Sequence, residues 1–318
     1  MKRIVEGYEL SYIRKMGNFN NHETENELIV LLPVGCYWAK KNGGCSYCGY
    51  QKVVDDMLGN YESMTYQEIL KYELDKQTET IHRLSFFVAG SFFEIPRDER
   101  IGLFEYLNNY PKIKEVYIES RPELITEDNI RELKNVLNNK VLSVAIGLET
   151  SDEKIRNEVH NKGVSNELFV KAMEILKREE VNSLIYVFVK PPVKNITDEE
   201  ALTEAYNTVK YSFDNGATAV ELECGYIVEN SKMYDLYMEG KYKTLSLWTI
   251  RDLLLKSIEL NQGNVRLAYF HDTPAPIDVP KNCPKCNDEF LKMFDEYRAT
   301  SRAELLLKEI DCECMKVG

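Results

Sequence analysis

The sequence predicts an α/β fold, a partial (β/α)6 barrel followed by a small C-terminal extension that binds metal through four cysteines. Three observations predict it. Short β-rich apolar runs alternate with charged, amphipathic stretches of helical length. The residues with the most distinctive chemistry fall where those runs end. Of the 8 cysteines, only Cys36 and Cys224 lie outside close C-x2-C or C-x-C pairs, a spacing that suits metal binding in a reducing compartment better than disulfides.

Six strands are predicted, over 28–34, 84–89, 114–119, 142–148, 183–190 and 217–223. Helices are predicted between them over 65–80, 97–108, 127–138, 166–179 and 197–213. Thr126 and Thr197 are N-cap candidates, because a hydroxyl accepts from the free amides of a first turn. Strands separated by helices pair in parallel through right-handed crossovers, and six such units curve into an open barrel rather than closing at eight.

The chain divides into an N-terminal extension, 1–27, the barrel, 28–274, and a cysteine-rich extension, 275–318. The last boundary follows from Pro274, Pro276 and Pro280, which precede Cys283. There is no short-period repeat and no low-complexity tract. With 318 residues, 44% of them hydrophobic, the chain can build a sizeable core. Its apolar runs fall far short of the roughly 20 residues that cross a bilayer. The polar N-terminus has no signal-peptide pattern, so the expectation is a cytoplasmic protein without a membrane partner. A net charge of -12 repels polyanions, and any nucleic-acid contact would need a local basic patch or a partner protein.

After the first predicted strand comes a glycine-rich loop with Cys36, Cys45 and Cys48 in C-x8-C-x2-C spacing. Glycines let backbone bend around a bulky inorganic core, and three thiolates can bind three irons of a cubane. Three ligands leave one iron open for a substrate-like cofactor. A structural zinc site completed by His22 or Cys224 is the alternative. Tyr47, just before the last cysteine, and the position after the first strand add weight to iron and sulfur.

Later strand ends carry Gly90-Ser91-Phe92-Phe93-Glu94, then Glu119-Ser120-Arg121-Pro122, then Glu149-Thr150-Ser151. Gly90-Ser91 also reads as an ordinary tight turn, and the two glutamates as strand caps or surface partners of Arg121. His160-Asn161-Lys162-Gly163 follows. The fifth predicted strand runs into Lys190-Pro191-Pro192, where the prolines fix how Lys190 projects, toward a ligand or into solvent. Glu221 and Cys224 close the sixth strand as candidate substrate contacts, although a lone cysteine is more often a small buried hydrophobe. At the C-terminus Cys283, Cys286, Cys312 and Cys314 form C-x2-C-x25-C-x-C around a helix-like stretch, 288–310. Four soft ligands without an open position suit zinc or a fully ligated second cluster, and reduced thiols without metal are the alternative.

The three-cysteine loop resembles that of the radical S-adenosylmethionine (SAM) superfamily, whose commonest spacing is C-x3-C-x2-C, and the later strand ends resemble its elongator-type, tRNA-modifying branch. The resemblance implies a radical SAM barrel in which Cys36, Cys45 and Cys48 hold a [4Fe-4S] cluster and SAM chelates the open iron. It implies that Gly90 and Ser91 offer backbone acceptors to the SAM amino group. Glu119 and Glu149 then meet SAM ribose or ammonium groups, and Lys162, in place of an arginine, faces its carboxylate.

The long cysteine loop, Gly90 to Glu94, Lys190-Pro191-Pro192 and the segment from Val228-Glu229 to Leu247-Trp248 together resemble the archaeosine-biosynthesis radical SAM family (RaSEA). That likeness implies a 5'-deoxyadenosyl radical that cleaves a carbon-nitrogen bond in a lysine-modified 7-deazaguanine of tRNA. The implied partners are a flavodoxin- or ferredoxin-type electron donor, an enzyme that supplies the lysine adduct, and tRNA, held through that enzyme. Two other readings stand beside it: a radical SAM enzyme acting on a small metabolite or peptide, and a non-enzymatic binding module stapled by zinc.

Overall fold

Leu28, Ile29 and Val30 are wholly buried in succession, without polar alternation, as a strand covered on both faces requires. They belong to β2, Thr24–Leu31, the first of the six predicted strands. The computed structural model describes residues 11–49, 54–55, 64–229, 231–271 and 275–314. The first ten residues, Tyr50 and Pro274 lie outside the described residues.

The other predicted strands are β3, Arg83–Phe87, β4, Glu115–Glu119, β5, Val141–Glu149, β6, Asn182–Val189, and β7, Ala219–Cys224. Two strands escaped prediction, β1, Ser11–Gly17, and β8, Asn264–Leu267. The strands follow chain order, β1 to β8, through one sheet. By contacts the chain clusters into two compact units, one of Met1–Lys15, Glu25–Gly147 and Glu167–Leu184, the other of Met16–Thr24, Leu148–Asn166 and Ile185–Gly318.

In the first unit β2, β3, β4 and β5 pair in parallel and in register, so that Leu28, Leu84, Val116 and Leu142 form one row across the sheet. All four are buried. At the amino ends the register aligns Glu27, Arg83 and Glu115. Glu27 accepts from Ser85 and from Arg14, the latter at 2.7 Å, and Arg83 lies 3.3 Å from Glu115. Ser143 donates to Glu115 at 2.6 Å. Buried polar groups need such partners, and at the amino ends of parallel strands they serve stability rather than chemistry.

The crossover helices of this unit are α2, Tyr66–Asp75, α3, Arg97–Leu107, α4, Glu127–Val136, and α5, Asn166–Arg178, preceded by the short α1, Tyr37–Asn42. Thr65 and Glu68 form a capping box on α2, and Thr126 caps α4 as predicted. Phe86, Phe92 and Phe104 are fully buried against one another, tying β3 to α3.

In the second unit β7 and β8 pair in parallel, Val220 beside Val265. Its helices are α6, Asp198–Asp214, α7, Lys232–Met238, α8, Leu247–Glu259, and α9, Asn287–Thr300. Thr197 caps α6 as predicted, with Glu200 completing a capping box. The helix predicted over 288–310 is shorter than expected. It stops at Ser301, which takes a left-handed conformation (φ 55°), and a separate 3-10 turn, Ala303–Leu307, follows.

Candidate metal and cofactor site

The loop that carries the three cysteines is built from its glycines. Beyond β2, the amide of Leu32 donates to Phe87 and that of Gly35 to Val88, so the chain stays beside β3 until Gly35, whose φ of 82° turns it away. Cys36 then caps α1, and Gly43 at φ 79° ends that helix by donating to Ala39. The eight residues between the first two cysteines are therefore mostly helix, terminated by Gly43 and Gly44. Cys45 and Cys48 share a tight turn in which the Cys48 amide donates to the Cys45 carbonyl at 3.1 Å. Cys36 and Cys45 are half-buried, Cys48 is exposed, and none of the three is in a disulfide.

Gly90, after β3, abuts this loop. A Cβ on Gly90 would lie 2.4 Å from the Gly35 carbonyl oxygen and 2.9 Å from Cys36 Cα, so only glycine lets the two segments meet. Glu94 fastens them: its carboxylate accepts from the amide of Tyr37 at 2.8 Å and from that of Ser91 at 3.0 Å. Burial raises the Glu94 carboxyl above its ordinary pKa, against the pull of those two amides. Ser91 and Ser120 join hydroxyls at 2.9 Å, linking the ends of β3 and β4. Glu119, the last residue of β4, is half-buried.

Arg121, which the alternative sequence reading made a surface partner of the glutamates, is buried and paired with Glu123 at 2.5 Å. Tyr37 donates to the same carboxylate. The Arg121 guanidinium sits 4.7 Å from the Trp38 ring center and 5.6 Å from that of Tyr37, so both aromatics of α1 pack on one cation beside the cysteine loop. Burial opposes the Arg121 charge, and the Glu123 carboxylate beside it more than offsets that, raising its pKa.

In the second unit Glu149 ends β5 with a left-handed backbone (φ 68°), and Lys162 donates to it at 2.6 Å. Both side chains are buried, so Glu149 is not the surface partner of Arg121 that sequence also allowed. Between them runs a π-helical turn, Ile155–Val159, a form that recurs at functional sites. Arg156 holds the segment by donating to the carbonyls of Thr150 and Val164 at 3.0 and 2.9 Å. His160 packs edge-on against Phe188, and burial, followed by the charge of Lys162, lowers its pKa to about 3.

Lys190, one residue past β6, is also left-handed (φ 70°) and buried rather than solvated. It donates to Asp198 at 2.6 Å and lies 5.5 Å from the Tyr242 ring center, while the Tyr242 hydroxyl donates to its carbonyl. Ala89, past β3, is left-handed as well (φ 58°). Non-glycine residues held in this region cost of order 1–3 kcal/mol each and concentrate where ligands bind. Glu221 and Cys224 on β7 are both buried, and burial pushes the Cys224 thiol far above its ordinary value. Cys224 is a neutral, inert thiol in this state.

Sequence reasoning missed Glu94, Asp198 and Tyr242. Glu94 had a signal, the Ser-x-x-Glu spacing of a capping box from Ser91. Asp198 and Tyr242 had none, because their link to Lys190 is made by the fold.

Cys283, Cys286, Cys312 and Cys314 converge, with all four sulfurs within 4.8 Å of one another. They can hold a metal ion. The Trp248 indole N–H donates to Cys314 Sγ at 3.3 Å and lowers that thiol to about 6.

A three-cysteine loop at the carboxyl end of β2, with Gly90 fitted tightly against it, is an arrangement suited to a radical SAM enzyme. The radical SAM superfamily model matches residues 39–205, more than half of the chain, and the chain belongs to that superfamily. A radical SAM fold binds SAM and a [4Fe-4S] cluster, and Cys36, Cys45 and Cys48, none of them in a disulfide, are thiols of the kind that would hold such a cluster.

The chain is similar to an uncharacterized protein of Methanocaldococcus jannaschii, 28% identical over 305 residues, 91% of this chain and 80% of that one. It is similar also to archaeosine synthase subunit beta of Methanosarcina acetivorans, 26% identical over 311 residues, 94% of this chain and 85% of that one. Among solved structures, Elp3 of Methanocaldococcus infernus with an N-terminal deletion superposes with a TM-score of 0.55 at 13% identity, over 81% of this chain and 63% of that one. That likeness shows the shared α/β fold. No helix among the described residues is long and apolar enough to cross a membrane.

Proposed function

We propose that this radical SAM enzyme completes archaeosine in tRNA by cleaving a carbon-nitrogen bond in a lysine-modified 7-deazaguanine. The observation that carries the reading is similarity along nearly the whole chain to archaeosine synthase subunit beta of Methanosarcina acetivorans. A second protein of that name, from Thermococcus kodakarensis, is 27% identical over 236 residues. The word subunit supports a partner that supplies the lysine adduct and carries the tRNA, which the chain's net charge of -12 makes it ill suited to hold alone.

When bound, the cluster supplies the electron that splits SAM into methionine and a 5'-deoxyadenosyl radical, the species that takes hydrogen from substrate. On this reading Cys36, Cys45 and Cys48 bind the cluster, while Gly90 and Ser91 offer backbone oxygens to the SAM amino group. Glu119, Glu149 and Lys162 orient SAM. The buried pairing of Lys162 with Glu149 supports this role, since it fixes the cation in place. Lys190 and Glu221 contact the base or its lysine arm, Asp198 and Tyr242 hold Lys190, and buried Cys224 packs as a small apolar residue rather than meeting substrate.

The test is anaerobic turnover of lysine-modified tRNA with a flavodoxin- or ferredoxin-type donor, with and without the partner enzyme. Wild-type protein should yield 5'-deoxyadenosine and archaeosine, and Cys45→Ala should yield neither. If 5'-deoxyadenosine forms but the modified tRNA is unchanged by mass, the substrate belongs to another class. The acidic surface would then point to a small metabolite or peptide.

A further inference from the structure

The C-terminal cysteines differ from the loop cysteines in number, packing and surroundings, and these differences identify their ligand. Cys283 Sγ lies 3.4 Å from Cys312 Sγ and 3.9 Å from Cys286 Sγ, and Cys286 Sγ lies 3.5 Å from Cys314 Sγ. Four thiolates on one tetrahedral ion at about 2.3 Å each sit roughly 3.8 Å apart, which is the spacing of this group. A cubane places each thiolate on its own iron, and a two-iron cluster places two pairs on opposite irons. In both, the cluster core spreads the sulfurs apart. A group whose sulfurs all lie within 4.8 Å of one another has room for one ion between them.

The surroundings are those of a closed site. Four protein ligands complete a tetrahedron and leave no position for substrate. Cys283 and Cys286 form a knuckle in which the amides of Cys286 and Asn287 donate to the Cys283 carbonyl. Cys286 also stands at the N-cap of α9, a 14-residue helix, where the dipole favors negative charge. The Trp248 indole N–H donates to Cys314, as a donor beyond the ligands does at a thiolate site. Among common divalent ions, zinc binds such sites more tightly than ferrous iron.

The group also joins distant parts of its unit. Trp248 opens α8 and packs edge-on against Phe290 of α9 at 4.4 Å. At the other end of α9, Tyr297 donates to the Val265 carbonyl and Arg298 to those of Leu267 and Ala268. Fixing the start of α9 therefore fixes the helix that satisfies the carboxyl end of β8.

We propose that Cys283, Cys286, Cys312 and Cys314 bind one zinc ion in a closed tetrahedral site. The site holds α9 against α8 and β8 and is independent of the radical cluster. The full chain purified anaerobically should contain one zinc and, once reconstituted, four irons. Exposure to air should remove the iron and leave the zinc. The Cys36→Ala/Cys45→Ala/Cys48→Ala protein should keep one zinc and lose its iron. Cys286→Ser and Cys312→Ser should lose zinc and melt at lower temperature, and should still take up four irons if they fold. X-ray absorption at the zinc edge of the wild-type protein, which does not depend on the variants folding, should show four sulfurs at about 2.3 Å. Eight irons per chain without zinc, or zinc that survives Cys286→Ser in a folded protein, would overturn the proposal. Neither result depends on what the radical attacks.

Discussion

At the scale of single residues, the loop is constrained most by an atom that is absent. Gly90→Ala would place a methyl group 2.4 Å from the Gly35 carbonyl and force the Cys36 segment outward. Overpacking of this kind costs about 1–3 kcal/mol. The expected outcome is a folded protein, by circular dichroism, with a lower melting temperature and well under four irons after reconstitution. Four irons and an unchanged melting temperature would refute the contact's importance. A second residue sets a dependence on pH. Glu204 is half-buried, with Oε1 accepting from Thr150 and Thr208 while Oε2 has no hydrogen-bond partner among the described residues. Burial raises its pKa to about 7. A carboxyl raised in the folded state holds its proton more tightly there than in the unfolded chain. Stability therefore falls as pH climbs from the unfolded value, near 4.5, through 7, by on the order of 3 kcal/mol in total. Glu204→Gln keeps the Oε1 acceptor without the charge. It should match wild type in urea unfolding at pH 4 and exceed it at pH 8, and a difference that stays constant with pH would refute the assignment.

At the scale of elements, β8 shows what a short strand needs. It has four residues, and burial of its carboxyl end leaves the Leu267 and Ala268 carbonyls dependent on Arg298, whose guanidinium also lies over Tyr269 at 4.6 Å and Phe270 at 4.8 Å. Arg298→Met preserves much of the packing and orphans both acceptors, which should cost at least about 2 kcal/mol. Urea midpoints would register it, and a variant as stable as wild type would show that other donors satisfy the strand. The same element explains where sequence reading ran out. The strands β2 to β7 were legible because buried parallel strands are apolar for most of their length and helices with clear caps separate them. Strand β8 was not, since Asn264-Val265-Arg266-Leu267 is short and mixed, and β1, Ser11-Tyr12-Ile13-Arg14-Lys15-Met16-Gly17, reads as charged as it reads apolar. The end of α9 was hidden too, because Ser301 carries no sign that it takes a left-handed turn.

At the scale of the molecule, the chemistry was more legible than the contacts that hold it. Cysteine ligands are spaced by local loop geometry, so both cysteine groups stand out in the sequence. The pairs Lys162–Glu149 and Lys190–Asp198 join residues 13 and 8 positions apart, and the fold alone brings them together. Among the described residues ten non-glycine residues adopt positive φ, and three of these, Ala89, Glu149 and Lys190, mark the ends of three strands. Helix α1 has a consequence for how relatives of this chain are recognized. A search pattern written for three residues between the first two cysteines passes over this protein, although its loop keeps the same thiols. The added length is ordered: a helix fills it, two aromatic rings lean on a buried arginine, and a pair of glycines returns the chain to the second cysteine. Selection acting on this gap would therefore tolerate exchange of a helical turn as a whole far better than loss of one residue from within it, and lineages should differ there in discrete steps of loop length.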